Sequence, residues 1–318
     1  MQKINISQNQ INQKNKGILP IRQSSVLESL ISANLPLVGS GSAYASCGTY
    51  FTKGCLNISN HHGISNLLQH DLSGKGKAYL QRQKKHCDRP LCPTCKDDWA
   101  NREKDRAVQR IKAYFIKRLE PTHIVVSVPE KDHYLTLEKM RKEVYKNLKS
   151  VHVVGGMMIY HPKRQRCVKC GSPKPYKRKA CQNCVSYEFE WYYSPHFHVL
   201  GYGWVQDVRK NYFSSGYVVK NLGIRTNLAG TIFYQLSHCG VHPKKHSITW
   251  FGVLSYNKLK VIYKESDPLI CPQCFNVLRK VIYLGTDKLA LPNVEGVGFY
   301  DDPENWEYAP NRMKIHYS

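Results

Sequence analysis

The chain has 318 residues, with 47 Lys plus Arg against 23 Asp plus Glu and a net charge of +24. Hydrophobic residues make up 42%, enough for one large domain with additions or for two domains. Charge of this sign excludes an acidic, halophile-type surface and points to a polyanionic partner, most simply nucleic acid. A membrane span is excluded too: Val151–Tyr160, among the longest apolar runs, is short and contains His152, Gly155 and Gly156.

Residues 1–45 are rich in Asn, Gln and Ser and read as a polar flexible tail, with a short helical turn over Val26–Ile31. The opening Met1-Gln2-Lys3-Ile4-Asn5 is polar and has no signal-peptide pattern. Eight of the twelve cysteines form four Cys-x-x-Cys pairs, at 92/95, 167/170, 181/184 and 271/274. Without a signal peptide, this spacing favours structural Zn²⁺ over disulfides and implies a reducing, intracellular (cytoplasmic) setting.

Residues 46–100 form a cysteine-rich segment. Cys87, Cys92 and Cys95 supply three thiolates of one zinc site, for which Cys55, Cys47 and His86 are candidate fourth ligands. A helix follows, with Ala107, Val108, Ile111, Tyr114, Phe115 and Leu119 at helical spacing and Pro121 closing it. Its other face carries Arg102, Lys104, Arg106, Arg110, Lys112, Lys117 and Arg118, suited to solvent or to phosphates. His123–Val128 reads as a buried strand, Leu137, Met140, Val144 and Leu148 as an amphipathic helix, and Val151–Tyr160 as a strand loosened by Gly155 and Gly156 and ending at His161.

Cys167-x2-Cys170-x10-Cys181-x2-Cys184 is the strongest local signal, the spacing of a closed four-thiolate zinc ribbon. It occupies 163–186, between two strands, and reads as an insertion at the tip of a β-hairpin. The hairpin returns through Pro195-His196-Phe197-His198-Val199-Leu200. On a strand, His196 and His198 share one face while Phe197 turns to the other, so both imidazoles can reach one ion. Tyr217–Val219 reads as a strand, Asn227–His238 as a helix with Tyr234 and His238 on its more polar side, and Trp250–Tyr256 and Val261–Tyr263 as strands. Cys271 and Cys274 make half a zinc site that Cys239, a nearby His or another subunit could complete.

Pro-His-Phe-His-Val-Leu resembles the His-hydrophobe-His motif of the HUH endonuclease superfamily, in particular rolling-circle replication initiators of plasmids and viruses. The resemblance covers roughly residues 85–260. It implies an α+β fold: a central antiparallel sheet of about five strands with helices on one face, here with zinc-binding additions. Residues 101–260 would be the endonuclease domain, and 261–318 a C-terminal extension with the last knuckle.

The implied activity is site-specific nicking and rejoining of single-stranded or origin DNA through a 5′-phosphotyrosine, alongside host replication machinery. The implied ion is Mn²⁺ or Mg²⁺ held by His196, His198 and a third ligand. Position in the family favours His161; Glu188 and Glu190 are rivals with the parity of the histidines if the strand runs unbroken. The family's nucleophile lies on a helix downstream, which matches Tyr234. Many plasmid initiators carry Tyr-x-x-Lys there; this chain has Ser237 at the lysine position, and His238 is the candidate assisting group. Tyr217-Val218-Val219-Lys220 matches that pattern but lies on a strand. The alternatives are a one-tyrosine transposase or relaxase of the same superfamily, and a zinc-rich nucleic-acid-binding protein without activity.

Overall fold

The computed structural model describes residues 35–310, apart from 62–63, 67–68, 72–75, 115–119, 176–178, 265–266 and 286–296, and of 64–66, 69–71 and 297 only the backbone. Of the expected tail over 1–45, residues 1–34 fall outside the described residues, as do the turn at Val26–Ile31, Phe115, Lys117, Arg118 and Leu119; in the rest of it Leu35 is buried and Leu37 bridges to Gly240. In chain order the elements are β1 (Tyr50–Cys55), β2 (Ile64–Asn66), β3 (Gln69–Asp71), β4 (Ala78–Lys84), α1 (Lys96–Ala113), β5 (Thr122–Ser127), α2 (Leu137–Ser150), β6 (Val153–Cys167) and β7 (Phe189–Gly203). Then come α3 (Val208–Ser215), β8 (Val218–Ile224), α4 (Leu228–Leu236), β9 (Ile248–Gly252), β10 (Arg279–Tyr283), β11 (Val297–Tyr300) and β12 (Trp306–Tyr308). The protein is α+β, with two five-stranded antiparallel sheets. It divides into two compact units, one containing Arg110–Lys260 with the chain up to Leu37, the other Val38–Gln109 with Val261–Ser318.

In the first unit the strand order is β8-β5-β7-β6-β9. Alternation sends Ile124, Val126, Met158, Tyr160, Phe197 and Val199 to one face. There they meet Leu137, Met140, Val144 and Leu148 of α2 in one buried cluster. These four recur at helical spacing, and the Thr136 side chain accepts from the Lys139 N–H at the helix start. The opposite face carries the histidines and is covered by α4, whose Gln235 reaches His123. Helices therefore lie on both faces of this sheet, not one. The central strands are apolar or histidine-bearing at both parities, so each face needs cover.

β6 and β7 form a long hairpin of 15 residues per strand. A Cβ at Gly156 would sit 2.5 Å from the Leu200 carbonyl oxygen and 2.7 Å from Gly201 Cα. That glycine does not loosen the strand; it lets two strands approach closely. β9 stops at Gly252, in left-handed backbone (φ +58°), where a Cβ would lie 2.0 Å from the Val154 carbonyl oxygen. The chain then turns over 253–258, and 261–263 is irregular, so the strands expected over Trp250–Tyr256 and Val261–Tyr263 shrink to β9. The first helix starts at Lys96, eleven residues before the apolar periodicity that marks it in the sequence.

In the second unit the order is β11-β4-β1-β10-β12. β1 pairs with β4 on one side and β10 on the other, so segments read as separate parts, 46–100 and 261–318, share one sheet. Ala78, Leu80, Val281 and Trp306 form one buried cluster; Cys55, Cys271 and Leu278 form a second. Among the described residues no helix is long and apolar enough to cross a membrane.

Candidate active site

The cross-strand register sets the site. His161 of β6 lies directly opposite His196 of β7, and Val125 of β5 opposite His198. Residues opposite one another point to the same face, so His161, His196 and His198 converge, with one ligand nitrogen of each within 4.8 Å of the others. Ring centroids of His161 lie 5.3 Å from His196 and 4.5 Å from His198. His161 and His196 are buried and His198 is half-buried.

Each ring is steered through one nitrogen. His196 Nδ1 lies 2.8 Å from the Ser194 carbonyl oxygen, to which it donates, which leaves Nε2 as an acceptor. His161 hydrogen-bonds the Gln235 backbone, and its Nε2 is buried without a partner. His198 Nδ1 is 2.9 Å from His123 Nε2. Metal-bound histidines are held this way, through the ring nitrogen that does not bind the ion. An orphaned, buried imidazole nitrogen aimed among two others is what a divalent ion would satisfy, and the residues fit that group. Burial, then neighbouring cations, lowers His196 to about 3 and His123 to about 4; His161 and His198 lie well below the usual imidazole range for the same first reason. All four are therefore neutral at pH 7, the form that ligates.

Around them stand groups the sequence did not single out. Gln235 Nε2 is 3.0 Å from His123 Nε2, and Arg225 Nε is 3.3 Å from His123 Nδ1. Arg164 Nη2 donates to Ser127 Oγ at 2.7 Å, and its guanidinium helps depress His196. His123 is the second residue of β5, where His123, Val125 and Ser127 share the face of His196 and His198. That parity was readable; the pairing that gives it meaning was not.

Tyr234 sits on α4, 57% exposed, with its ring 4.6 Å from that of His238. The His238 ring is in turn 4.6 Å from His161. Asn227 caps this helix, accepting from the Gly230 N–H at 2.8 Å. Tyr217 is 2% exposed and belongs to the core under α2, on the face away from the histidines. Glu190 is not brought to the triad: it is exposed and pairs with Arg166 at 2.7 Å. Glu188 is exposed and precedes β7. The register slips between His161 and Lys163, so the parity linking the glutamates to His196 is broken there. Glu190 is also six residues from His196, roughly 20 Å along a strand.

Eleven of the twelve cysteines fall into three clusters. Cys167, Cys170, Cys181 and Cys184 gather between β6 and β7, with Sγ separations of 3.4–3.5 Å. Cys47, not Cys55, joins Cys87, Cys92 and Cys95, with Cys47 Sγ 2.9 Å from Cys95 and 3.6 Å from Cys92. His86 instead pairs with Asp98 at 2.8 Å. Cys55 lies with His61, Cys271 and Cys274, and Cys239 is not in that group. A disulfide needs about 2.0 Å between sulfurs, whereas a tetrahedral zinc with bonds near 2.3 Å sets its thiolates roughly 3.8 Å apart; the separations of 3.4–3.6 Å approach the second geometry, and the 2.9 Å between Cys47 and Cys95 lies between the two.

Comparison of the chain with protein-family models, with curated proteins and with solved structures finds no match.

Proposed function

We propose that the protein is an HUH-type enzyme that nicks and rejoins single-stranded DNA through Tyr234, initiating rolling-circle replication. The observation that carries this reading is the convergence of His161, His196 and His198 beside a helix that exposes Tyr234 one turn before His238. A strand-borne trio of neutral imidazoles with open coordination positions suits Mn²⁺ or Mg²⁺ shared with phosphate oxygens. The ion, when bound, would polarise the scissile phosphate. His161, and not Glu190, supplies the third ligand.

The chain's own residues do the rest. The Tyr234 hydroxyl oxygen attacks phosphorus in line, the bond from phosphorus to the 3′ oxygen breaks, and the 5′ phosphate stays on the tyrosine. His238, kept neutral chiefly by burial, is free to take the tyrosyl proton, and water protonates the departing 3′ oxygen, so that strand leaves with a 3′-hydroxyl. Arg164, at the edge of the triad, adds positive charge for the phosphate. The reverse reaction rejoins ends. Burial pushes the Tyr217 hydroxyl well above the usual phenol range and keeps it from DNA, which favours Tyr234 as nucleophile.

The test is to incubate the protein with labelled single-stranded DNA and Mn²⁺ and look for an SDS-resistant adduct. Digestion and mass spectrometry should map the linkage to the peptide containing Tyr234. Salt-sensitive DNA binding without an adduct, across varied sequences, would leave a binding protein and overturn the enzymatic reading.

A further inference from the structure

The geometry points to a third thiolate-rich metal site, formed by Cys55, His61, Cys271 and Cys274, that holds a zinc-class ion and clips the two chain segments of the second unit together. It stands independently of the proposed DNA chemistry. Cys55 ends β1, and Cys271 and Cys274 come from the turn before β10, so the ligands are distant in sequence. Cys55 Sγ is 3.4 Å from Cys274 Sγ, and Cys271 Sγ is 3.3 Å from His61 Nε2. Three of the four residues are buried. His61 Nδ1 lies 2.7 Å from the Lys77 carbonyl oxygen and donates to it, which turns the Nε2 lone pair toward Cys271 Sγ.

A second observation comes from the backbone. In Cys167–Ser172 the Cys167 N–H donates to the Ser172 carbonyl and the Gly171 N–H to the Cys167 carbonyl, at 2.8 and 2.9 Å. Cys181–Ser186 repeats this at 2.7 and 3.0 Å, and Cys271–Asn276 at 2.8 and 2.9 Å. In all three, the residue after the second cysteine is left-handed: Gly171 at φ +71°, Val185 at +58° and Phe275 at +58°. Only Gly adopts this conformation freely. The turn at Cys271–Asn276 is thus built like both halves of the four-cysteine ribbon, down to a strained Phe where Gly would be easier. A turn of this form presents two sulfurs to one ion, and a lone pair of free thiols does not call for it.

Three thiolates and one imidazole, closed and mostly buried, select a tetrahedral structural ion, zinc before magnesium or calcium. Because Cys55 and Cys274 are 219 residues apart, the ion closes a very long loop and joins β1 to the strand it pairs with, β10.

The test compares metal content of the full-length protein with that of Cys271→Ser/Cys274→Ser. The double variant should lose one zinc equivalent per chain and keep the others; an unchanged zinc content overturns the site. If that variant does not fold, His61→Cys replaces the imidazole with a fourth thiolate. After cobalt substitution its visible absorption should shift toward that of an all-sulfur site at unchanged metal content. A spectrum identical to that of the parent overturns the assignment of His61 and with it the site.

Discussion

Replacing Tyr234 by Phe removes one oxygen atom from a side chain that is 57% exposed. Substitutions at such positions stay within about 0.5 kcal/mol of the parent, so Tyr234→Phe should move Tm by no more than about 2 °C. The helix keeps its Asn227 cap and the buried Ile232 and Leu236, and DNA affinity should be unchanged. Cleavage should fall by on the order of 10³-fold or more, a loss of at least about 4 kcal/mol of transition-state stabilisation, because the proposed nucleophile would be gone. The assay is nicking of labelled single-stranded DNA with Mn²⁺, read beside the SDS-resistant adduct and thermal melting. Tyr217→Phe is the internal control, since Tyr217 is buried in the core under α2 and should keep both nicking and adduct. A covalent adduct that persists in Tyr234→Phe and disappears in Tyr217→Phe would refute the reasoning.

His198→Ala should abolish Mn²⁺-dependent nicking yet retain DNA binding, because it removes one of the three converging nitrogens and leaves Tyr234 in place; nicking that survives the substitution counts against the metal site. DNA affinity should fall steeply between about 50 and 200 mM salt as Lys and Arg release condensed counterions, and a flat titration would refute an electrostatic footprint for the +24 chain. Chelation should destabilise the protein, since thiolate sites couple ion binding to folding; freshly purified protein with fewer than two zinc per chain would contradict the clusters at Cys167–Cys184 and Cys47–Cys95. Stability should also drop with pH. His196 (about 3) and His123 (about 4) stay neutral in the fold while the unfolded chain takes up protons below about 6.5. Each such His then costs up to about 1.4 kcal/mol per pH unit below that point, and a bound ion acts in the same direction because it needs neutral imidazoles. A urea midpoint unchanged from pH 7 to 5.5 would refute this.

What the sequence determined alone rests on short-range chemistry. The x10 spacing between the knuckles at Cys167–Cys170 and Cys181–Cys184 is local, and a strand's two-residue period places His196 and His198 on one face whatever the rest of the chain does. The apolar spacing of Leu137, Met140, Val144 and Leu148 likewise marks α2 without reference to its partners. What only the tertiary structure decided depends on register and on pairing at long range. A slip beside His161 broke the parity that linked Glu190 to the histidines, and no periodicity records a bulge. Tyr217 is buried in the core on the α2 face of the sheet while Tyr234 stands exposed on α4, and that difference comes from how the elements pack. Cys47 and Cys55 stand eight residues apart, yet belong to different clusters, because Cys55 ends the strand that pairs with β10 and so meets Cys274, 219 residues on. Ligand spacing identifies a metal site when the turn itself brings the sulfurs together; when the sheet does, only the folded chain identifies the partners.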